Sequence, residues 1–247
     1  MNSTKVLAVI PARLGSKRFP RKALHIYRDK PLLFYLYQSI SKSKKIDRLV
    51  IGTDSSEIKK VMESYGVEVI ITSKKHQTGS DRVAEVSKKI KSNLVINIQG
   101  DNFGLKAGTL DNVISKILRF RSINFATLAY KINSDNDLFD PNVVKLVKNK
   151  NNDAIWFSRF PIPYLMQANN KIRFNQFGYY GHLGVYFYKW KALQQFASWK
   201  RSIFEKAESL EQLRILENNE NIRIFTTKAK SISVDTKDDL KKIESIL

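Results

Sequence analysis

Three features of this sequence predict an open, mostly parallel α/β sheet that carries a strand-rich elaboration in its second half. Between Lys5 and Ile98, short apolar runs alternate with segments whose apolar residues recur at helical spacing, the pattern of successive βαβ crossovers. The runs beginning at Val6 and Leu94 are almost continuously apolar, as expected of parallel strands buried on both faces. From Ile123 onward the alternation stops and strand-like segments follow one another.

Residues 5–11 form a β-rich run that leads into a basic loop, and 31–41 place Leu32, Leu33, Tyr35, Leu36 and Ile40 at mostly helical spacing. Residues 48–53 read as a second strand. Ser55 or Ser56 can cap a helix running to Tyr65, because a side-chain oxygen there satisfies an orphan backbone N–H. A third strand over 67–71 and a helix over 80–90 precede the strand 93–98, which ends on Gln99-Gly100-Asp101. In the second half, 125–132, 143–147, 154–158, 182–188 and 222–227 have strand composition, and 210–217 is helical. Residues 236–247 combine an acidic first turn with helical periodicity, a terminal helix. The polar stretch 169–175 is a loop, no segment repeats, and nothing resembles a flexible linker, so a single domain over 1–247 is expected.

The chain of 247 residues is 43% hydrophobic, enough for one sizeable core. A net charge of +20 favours anionic partners such as nucleotides, sugar acids, nucleic acids or membrane surfaces. With no cysteine, disulfide scaffolds, thiolate catalysis and cysteine-ligated zinc are excluded, and any metal must take oxygen or histidine ligands. The first apolar run breaks at Pro11 and no later one reaches roughly 18 residues, too short for a membrane span. The expected location is the cytoplasm.

Two constellations carry chemistry. The loop leaving the first strand holds five basic residues between Arg13 and Lys22, and such loops face the ligand crevice of an open sheet. Arginine forks pair with phosphate oxygens, Lys22 supplies a point charge and Gly15 permits close backbone approach, which makes a triphosphate cradle. A solvated basic loop is the equal alternative, since the spacing is neither a Walker loop nor a dinucleotide fingerprint. The second constellation is Asp101 with Asp235, each following an apolar strand-like run. Two carboxylates at strand ends can hold Mg²⁺ alongside phosphates and water; alternatively each caps the next helix.

With these residues in view, the sequence resembles the 3-deoxy-manno-octulosonate (Kdo) cytidylyltransferases. The resemblance is carried in order by Val9-Ile10-Pro11-Ala12-Arg13, Ser16, Arg18, Pro20, Lys22, Thr53-Asp54, His76-Gln77-Thr78-Gly79-Ser80-Asp81-Arg82, Gln99-Gly100-Asp101, Phe157-Ser158-Arg159, His182-Leu183-Gly184-Val185-Tyr186, Leu210-Glu211-Gln212-Leu213-Arg214 and Val234-Asp235-Thr236. It implies a nucleotide-diphospho-sugar transferase-like sheet and an Mg²⁺-dependent joining of CTP to Kdo with release of pyrophosphate, for lipopolysaccharide or capsule synthesis. It places CTP on Pro11, Ala12, Arg13, Ser16, Arg18, Lys22, Arg82 and Gln99, and Mg²⁺ on Asp101 and Asp235. Catalysis would fall to Lys22, Asp101, Asp235 and Arg13, and the sugar to Gln99, Arg159, His182, Tyr186, Glu211 and Gln212. A homodimer is also implied. Read singly, His182 is an ordinary half-buried histidine, Tyr186 a core residue, and Glu205, Glu208 and Glu211 one solvated helix face.

The sequence departs from the resemblance at three positions. Asn102-Phe103 replaces Glu-Pro after Asp101, Arg21 replaces the glycine before Lys22, and Gly181 replaces a basic residue before His182. These changes fit an altered sugar, such as 8-amino-Kdo or a sialic-acid-like nonulosonate, or an inactive paralogue. A nucleic-acid-binding role would use the +20 charge and the aromatics, but the basic residues are spread along the chain and form no recognised motif. No nucleic-acid partner is therefore expected.

Overall fold

The computed structural model describes residues 5–15, 18–120, 122–166, 173–228, 232–234 and 236–244. The alternating half runs β1 (Val6–Ala12), a small ribbon of β2 (Ile26–Tyr27) and β3 (Lys30–Pro31), α1 (Leu32–Ile40), β4 (Arg48–Thr53), α2 (Ser56–Ser64), β5 (Val69–Ile71), α3 (Gly79–Lys89) and β6 (Leu94–Ile98). After β7 (Asn102–Phe103) come α4 (Ala107–Arg119), β8 (Phe125–Lys131), α5 (Asp135–Phe139), β9 (Lys145–Lys148), β10 (Ala154–Ser158) and β11 (Tyr180–Lys189). The chain closes with α6 (Trp190–Ser198), α7 (Ile203–Glu208), α8 (Leu213–Glu217), β12 (Ile222–Thr227), β13 (Ile232–Ser233) and α9 (Leu240–Ile243).

Among the described residues, nine strands join in one sheet. β5, β4, β1 and β6 lie side by side and parallel. β11 runs antiparallel between β6 and β8, and β12 adds in parallel to β8. The strand-rich half therefore extends the same sheet. Its two faces are both covered, which is why β1 is buried at every position. Val6, Ala8 and Ile10 join Leu33, Leu36, Leu110 and Ile114 of α1 and α4 on one face. Leu7 and Val9 join Val83 and Val86 of α3 and Leu193 and Phe196 of α6 on the other.

The feature that creates a site lies along β11. Its residues 185–189 pair with β6, whereas Tyr180 and Gly181 pair with β9. Between these stretches only single bonds reach across, from His182 N–H to the Val144 carbonyl at 2.8 Å and from Gln99 N–H to the Gly184 carbonyl at 3.2 Å. β6 and β9 thus diverge, and a crevice opens beyond the carboxyl end of β6, where sheets of this kind bind ligands.

Local sequence signals account for most elements. Ser55 caps α2 by accepting from the Ile58 N–H, and Thr78 and Asp81 form a capping box on α3. Three helices, α4 to α6, were not anticipated from the sequence, although Leu110, Val113, Ile114 and Ile117 give α4 a clear apolar stripe. The helix expected over 210–217 starts only at Leu213. Ser209, in the left-handed conformation with φ 53° and ψ 47°, ends α7 and turns the chain first. Glu205, Glu208 and Glu211 accordingly do not share a solvated face. Glu205 is 1% exposed and grips Arg214, itself 2% exposed, through two bonds of 2.7 Å. The terminal helix is Leu240–Ile243 within the described residues, because the Asp239 carboxylate binds the Thr236 N–H and hydroxyl in a turn ahead of it. Of the loop expected over 169–175, residues 169–172 lie outside the described residues, and Phe174–Gln176 form a 3₁₀ turn.

The Glu205–Arg214 pair yields a stability prediction. Glu205→Ala leaves a buried guanidinium uncompensated, so unfolding free energy should fall by about 3–5 kcal/mol. Urea denaturation measures it, and a loss below about 1 kcal/mol would show that the pair is not holding α7 against α8.

Candidate active site

Two adjoining hollows occupy the crevice. The first, about 440 Å³, lies at the end of β1, with Pro11, Ala12 and Arg13 on the strand end, Arg18 and Lys22 on the following loop, and Gln99 and Asp101 after β6. Among the described residues the Arg13 guanidinium pairs with no carboxylate and is exposed to this hollow. Lys22 Nζ donates to the Val234 carbonyl at 2.6 Å, and the Val234 N–H reaches the Asp101 carbonyl at 3.3 Å. The basic loop, the end of β6 and the C-terminal segment are thereby tied together. Ser16 and Asp235, expected at the nucleotide and the metal, lie outside the described residues.

The second hollow, about 590 Å³, shares Arg18, Gln99 and Asp101 as its wall with the first and adds His182, Tyr186 and Gln212. Burial drives the His182 pKa down to about 3, so its imidazole is neutral. Its Nε2 lies 2.8 Å from Thr127 Oγ1, which is also 2.8 Å from the Val185 carbonyl. The threonine has one proton, and a carbonyl can only accept. With that proton given to Val185, the network assigns Nε2–H as the donor to Thr127 and leaves Nδ1 as an acceptor. Tyr186 donates its hydroxyl to Gln212 Oε1 at 3.0 Å, while Gln212 Nε2 is buried without a partner among the described residues. A buried amide left unpaired is costly, and this one borders the hollow. Gln99 packs its amide against Gly79, where a Cβ would approach Nε2 to 2.9 Å and displace the glutamine side chain.

Three expected site residues do not line either hollow. Arg82, 4% exposed, is paired with Asp54 at 3.0 Å and with the Thr72 hydroxyl. Arg159 spends its guanidinium on the carbonyls of Glu208 at 2.8 Å and Pro141 at 2.8 Å. Glu211 accepts from the N–H groups of Gly79 and Ser80, each at 3.3 Å, and so caps α3; burial raises its pKa. In exchange, the hollow includes Tyr130, Asp137, Asp140 and Asn142, which spacing in the chain does not reveal. Tyr130 is placed by register, opposite Gly181. The loop bearing Asp140 and Asn142 is gripped from behind by Lys145 Nζ, bonded to the carbonyls of Asp140 at 2.9 Å and Val143 at 2.7 Å.

Each departure from the family pattern has a local account. Asn102, 6% exposed, donates its amide to the Gly184 carbonyl at 3.0 Å, a bond that a carboxylate cannot make. Arg21 adopts a left-handed conformation, φ 58° and ψ 22°, and its side chain pairs with Glu57 on the surface. A Cβ at position 181 would lie 2.6 Å from the Tyr130 ring, so Gly181 is the space that the tyrosine fills.

A mixed, mainly parallel sheet with a basic loop after its first strand and a carboxylate at the junction of two hollows defines a nucleotidyltransferase of the nucleotide-diphospho-sugar class. The same fold, at a TM-score of 0.64 and 16% identity, is found in the inositol-1-phosphate CTP transferase of T. maritima, covering 97% of this chain and 93% of that one. The chain belongs to the cytidylyltransferase family, whose model matches residues 7–222. It is 39% identical to the 3-deoxy-manno-octulosonate cytidylyltransferase of Thermodesulfovibrio yellowstonii, over 98% of this chain and 97% of that one. Identity to the enzyme of the same name from Geobacter metallireducens is 37%, over 97% and 96%. The structure of CMP:2-keto-3-deoxy-manno-octonic acid synthetase complexed with CTP superposes at a TM-score of 0.88, with 33% identity and 98% of each chain covered.

Two outcomes are expected at this site. Asn102→Asp removes the donor to Gly184 and sets a carboxylate against that carbonyl, which should cost about 2 kcal/mol or more in urea unfolding at pH 7; an unchanged midpoint would refute the assignment. The depressed His182 pKa means that the unfolded chain takes up its proton first. This histidine's contribution to stability is therefore present above about pH 6.5 and lost as pH falls below it. NMR titration should find the His182 imidazole neutral from pH 8 down to pH 5, and a midpoint near 6.5 would contradict its burial.

Proposed function

We propose that the protein joins CTP to Kdo, giving CMP-Kdo and pyrophosphate. The observation that carries this reading is the shared wall: Arg18, Gln99 and Asp101 belong at once to the basic hollow and to the hollow of His182, Tyr186 and Gln212. A triphosphate in the first and a sugar acid in the second would meet there. The anomeric hydroxyl of the sugar forms a bond to the α-phosphorus, the bond to the β-phosphate oxygen breaks, pyrophosphate leaves and the hydroxyl proton passes to solvent. Arg13, Arg18 and Lys22 offset the charge that develops on the phosphates, and positioning supplies most of the acceleration. On the sugar side His182 Nδ1 accepts from a hydroxyl and Gln212 Nε2 donates to one.

Among the described residues no three carboxylates or histidines converge as a closed metal cage. That agrees with Mg²⁺, which usually takes one or two protein carboxylates and completes its shell with phosphates and water. Asp101, at the junction, is the described ligand, and Asp235 is the second by resemblance. When bound, the ion neutralises phosphate charge. Among the described residues no helix is long and apolar enough to cross a membrane, which supports a cytoplasmic enzyme. Exposed Ile155, Phe160 and Met166 in the strand-rich half support a homodimer that covers them.

Pyrophosphate release from CTP and Mg²⁺, measured with Kdo, 8-amino-Kdo and N-acetylneuraminate in parallel, tests the reading. Release is expected with Kdo and none after chelation. Asp101→Asn should lower kcat/KM by about 100-fold or more. Full activity in that variant would remove Asp101 from the chemistry, and release with only one of the other sugars would reassign the substrate.

A further inference from the structure

The larger hollow has a feature that the reaction at Asp101 does not use. Tyr130 is 5% exposed, its ring lies over the α-carbon of Gly181, and among the described residues its hydroxyl has no hydrogen-bond partner. The hydroxyl is not sealed in the core as an unpaired buried atom, so it is free to meet a ligand group. It borders the hollow beside Asp137 and Asp140. Burial first, and then those two carboxylates, hold the phenol above its ordinary pKa, so it remains a donor at every working pH.

Register fixes where this group stands relative to the chemistry. Gln99 and Asn102 contact Gly184 at the reacting end, next to Asp101. Tyr130 faces Gly181, three residues further along β11, or about 10 Å in an extended strand. The segment between them, 182–184, is where neither β6 nor β9 covers the strand edge. A ligand lying along that edge can therefore touch groups from both faces of the sheet. The hollow runs from Asp101 to Tyr130, so an eight-carbon sugar acid with its anomeric centre at Asp101 and its exocyclic tail along β11 would reach this group.

We propose that Tyr130, in the space left by Gly181 and flanked by Asp137 and Asp140, determines specificity by hydrogen-bonding the terminal C8 hydroxyl of the sugar acid. The phenol donates to the hydroxyl oxygen, and the hydroxyl proton is offered to a carboxylate. The assignment rests on the Kdo reading above and goes beyond it by naming the part of the sugar recognised and the residue that recognises it.

Tyr130→Phe removes only the hydroxyl and retains the ring that packs over Gly181. Steady-state kinetics with Kdo and with 8-deoxy-Kdo, for wild type and variant, separate recognition from folding. Expected for the variant are a KM for Kdo raised about 10-fold, the size of one lost hydrogen bond to a neutral group, an unchanged KM for CTP and an unchanged KM for 8-deoxy-Kdo. Equal effects on both sugars, or an effect on neither, overturn the proposal while leaving the Kdo reading intact. Absence of wild-type turnover with Kdo overturns both.

Discussion

Everything in the crevice depends on how one strand is shared between two neighbours. β11 is held by β6 over residues 185–189 and by β9 at Tyr180 and Gly181, and the gap between them has to be stabilised without a ladder. Two donors do so at one carbonyl: the Gln99 N–H and the Asn102 side chain both reach Gly184. The pairing of β11 with β8 shifts register between Leu183 and Tyr186, the local signature of a bulge that re-aims side chains next to a site. A Cβ at 184 would come within 2.8 Å of the Asn102 amide and displace that donor. If this point were lost, His182, Tyr186 and Gln99 would no longer face one space.

The electrostatics of the crevice are divided in the same way. Toward β1 the wall is basic, with Arg13, Arg18 and Lys22, in keeping with a chain of net charge +20 and with polyphosphate binding. Toward β9 the wall carries Asp137 and Asp140, and His182 and Tyr186, which line the same hollow, are held neutral by burial. On the proposed function, shape and neutral hydrogen bonds would read the sugar, and charge the nucleotide. The overall basic excess is therefore a poor guide to the chemistry of the sugar half.

Behind the crevice, several residues that carry the family resemblance serve position. Arg159 holds the carbonyls of Pro141 and Glu208, Glu211 caps α3 and Arg82 joins Asp54 to Thr72. Each binds together segments distant in sequence whose ends border the hollows. A motif residue can remain near a site and act through the backbone it holds, and motif position does not distinguish that role from ligand contact.

The alternating half, its parallel strands and the cap of α2 were legible in the sequence, because hydrophobic period and capping chemistry act between residues close in the chain. The basic loop and Asp101 were legible for the same reason, since each lies where a strand ends. The antiparallel insertion of β11 was not, because it depends on partners dozens of residues away; nor were the left-handed break at Ser209 and the burial of Glu205, whose partner Arg214 lies nine residues on, beyond that break. The meaning of the departures depends on distant partners too: Gly181 reads as a lost charge until register sets Tyr130 above it, and Asn102 as a lost ligand until Gly184 lies 3.0 Å from its amide. Local periodicity and motif order determined the class of fold and the family. Only the tertiary structure decided which of the marked residues face the crevice, because strand register and packing place side chains across distances that no spacing along the chain encodes.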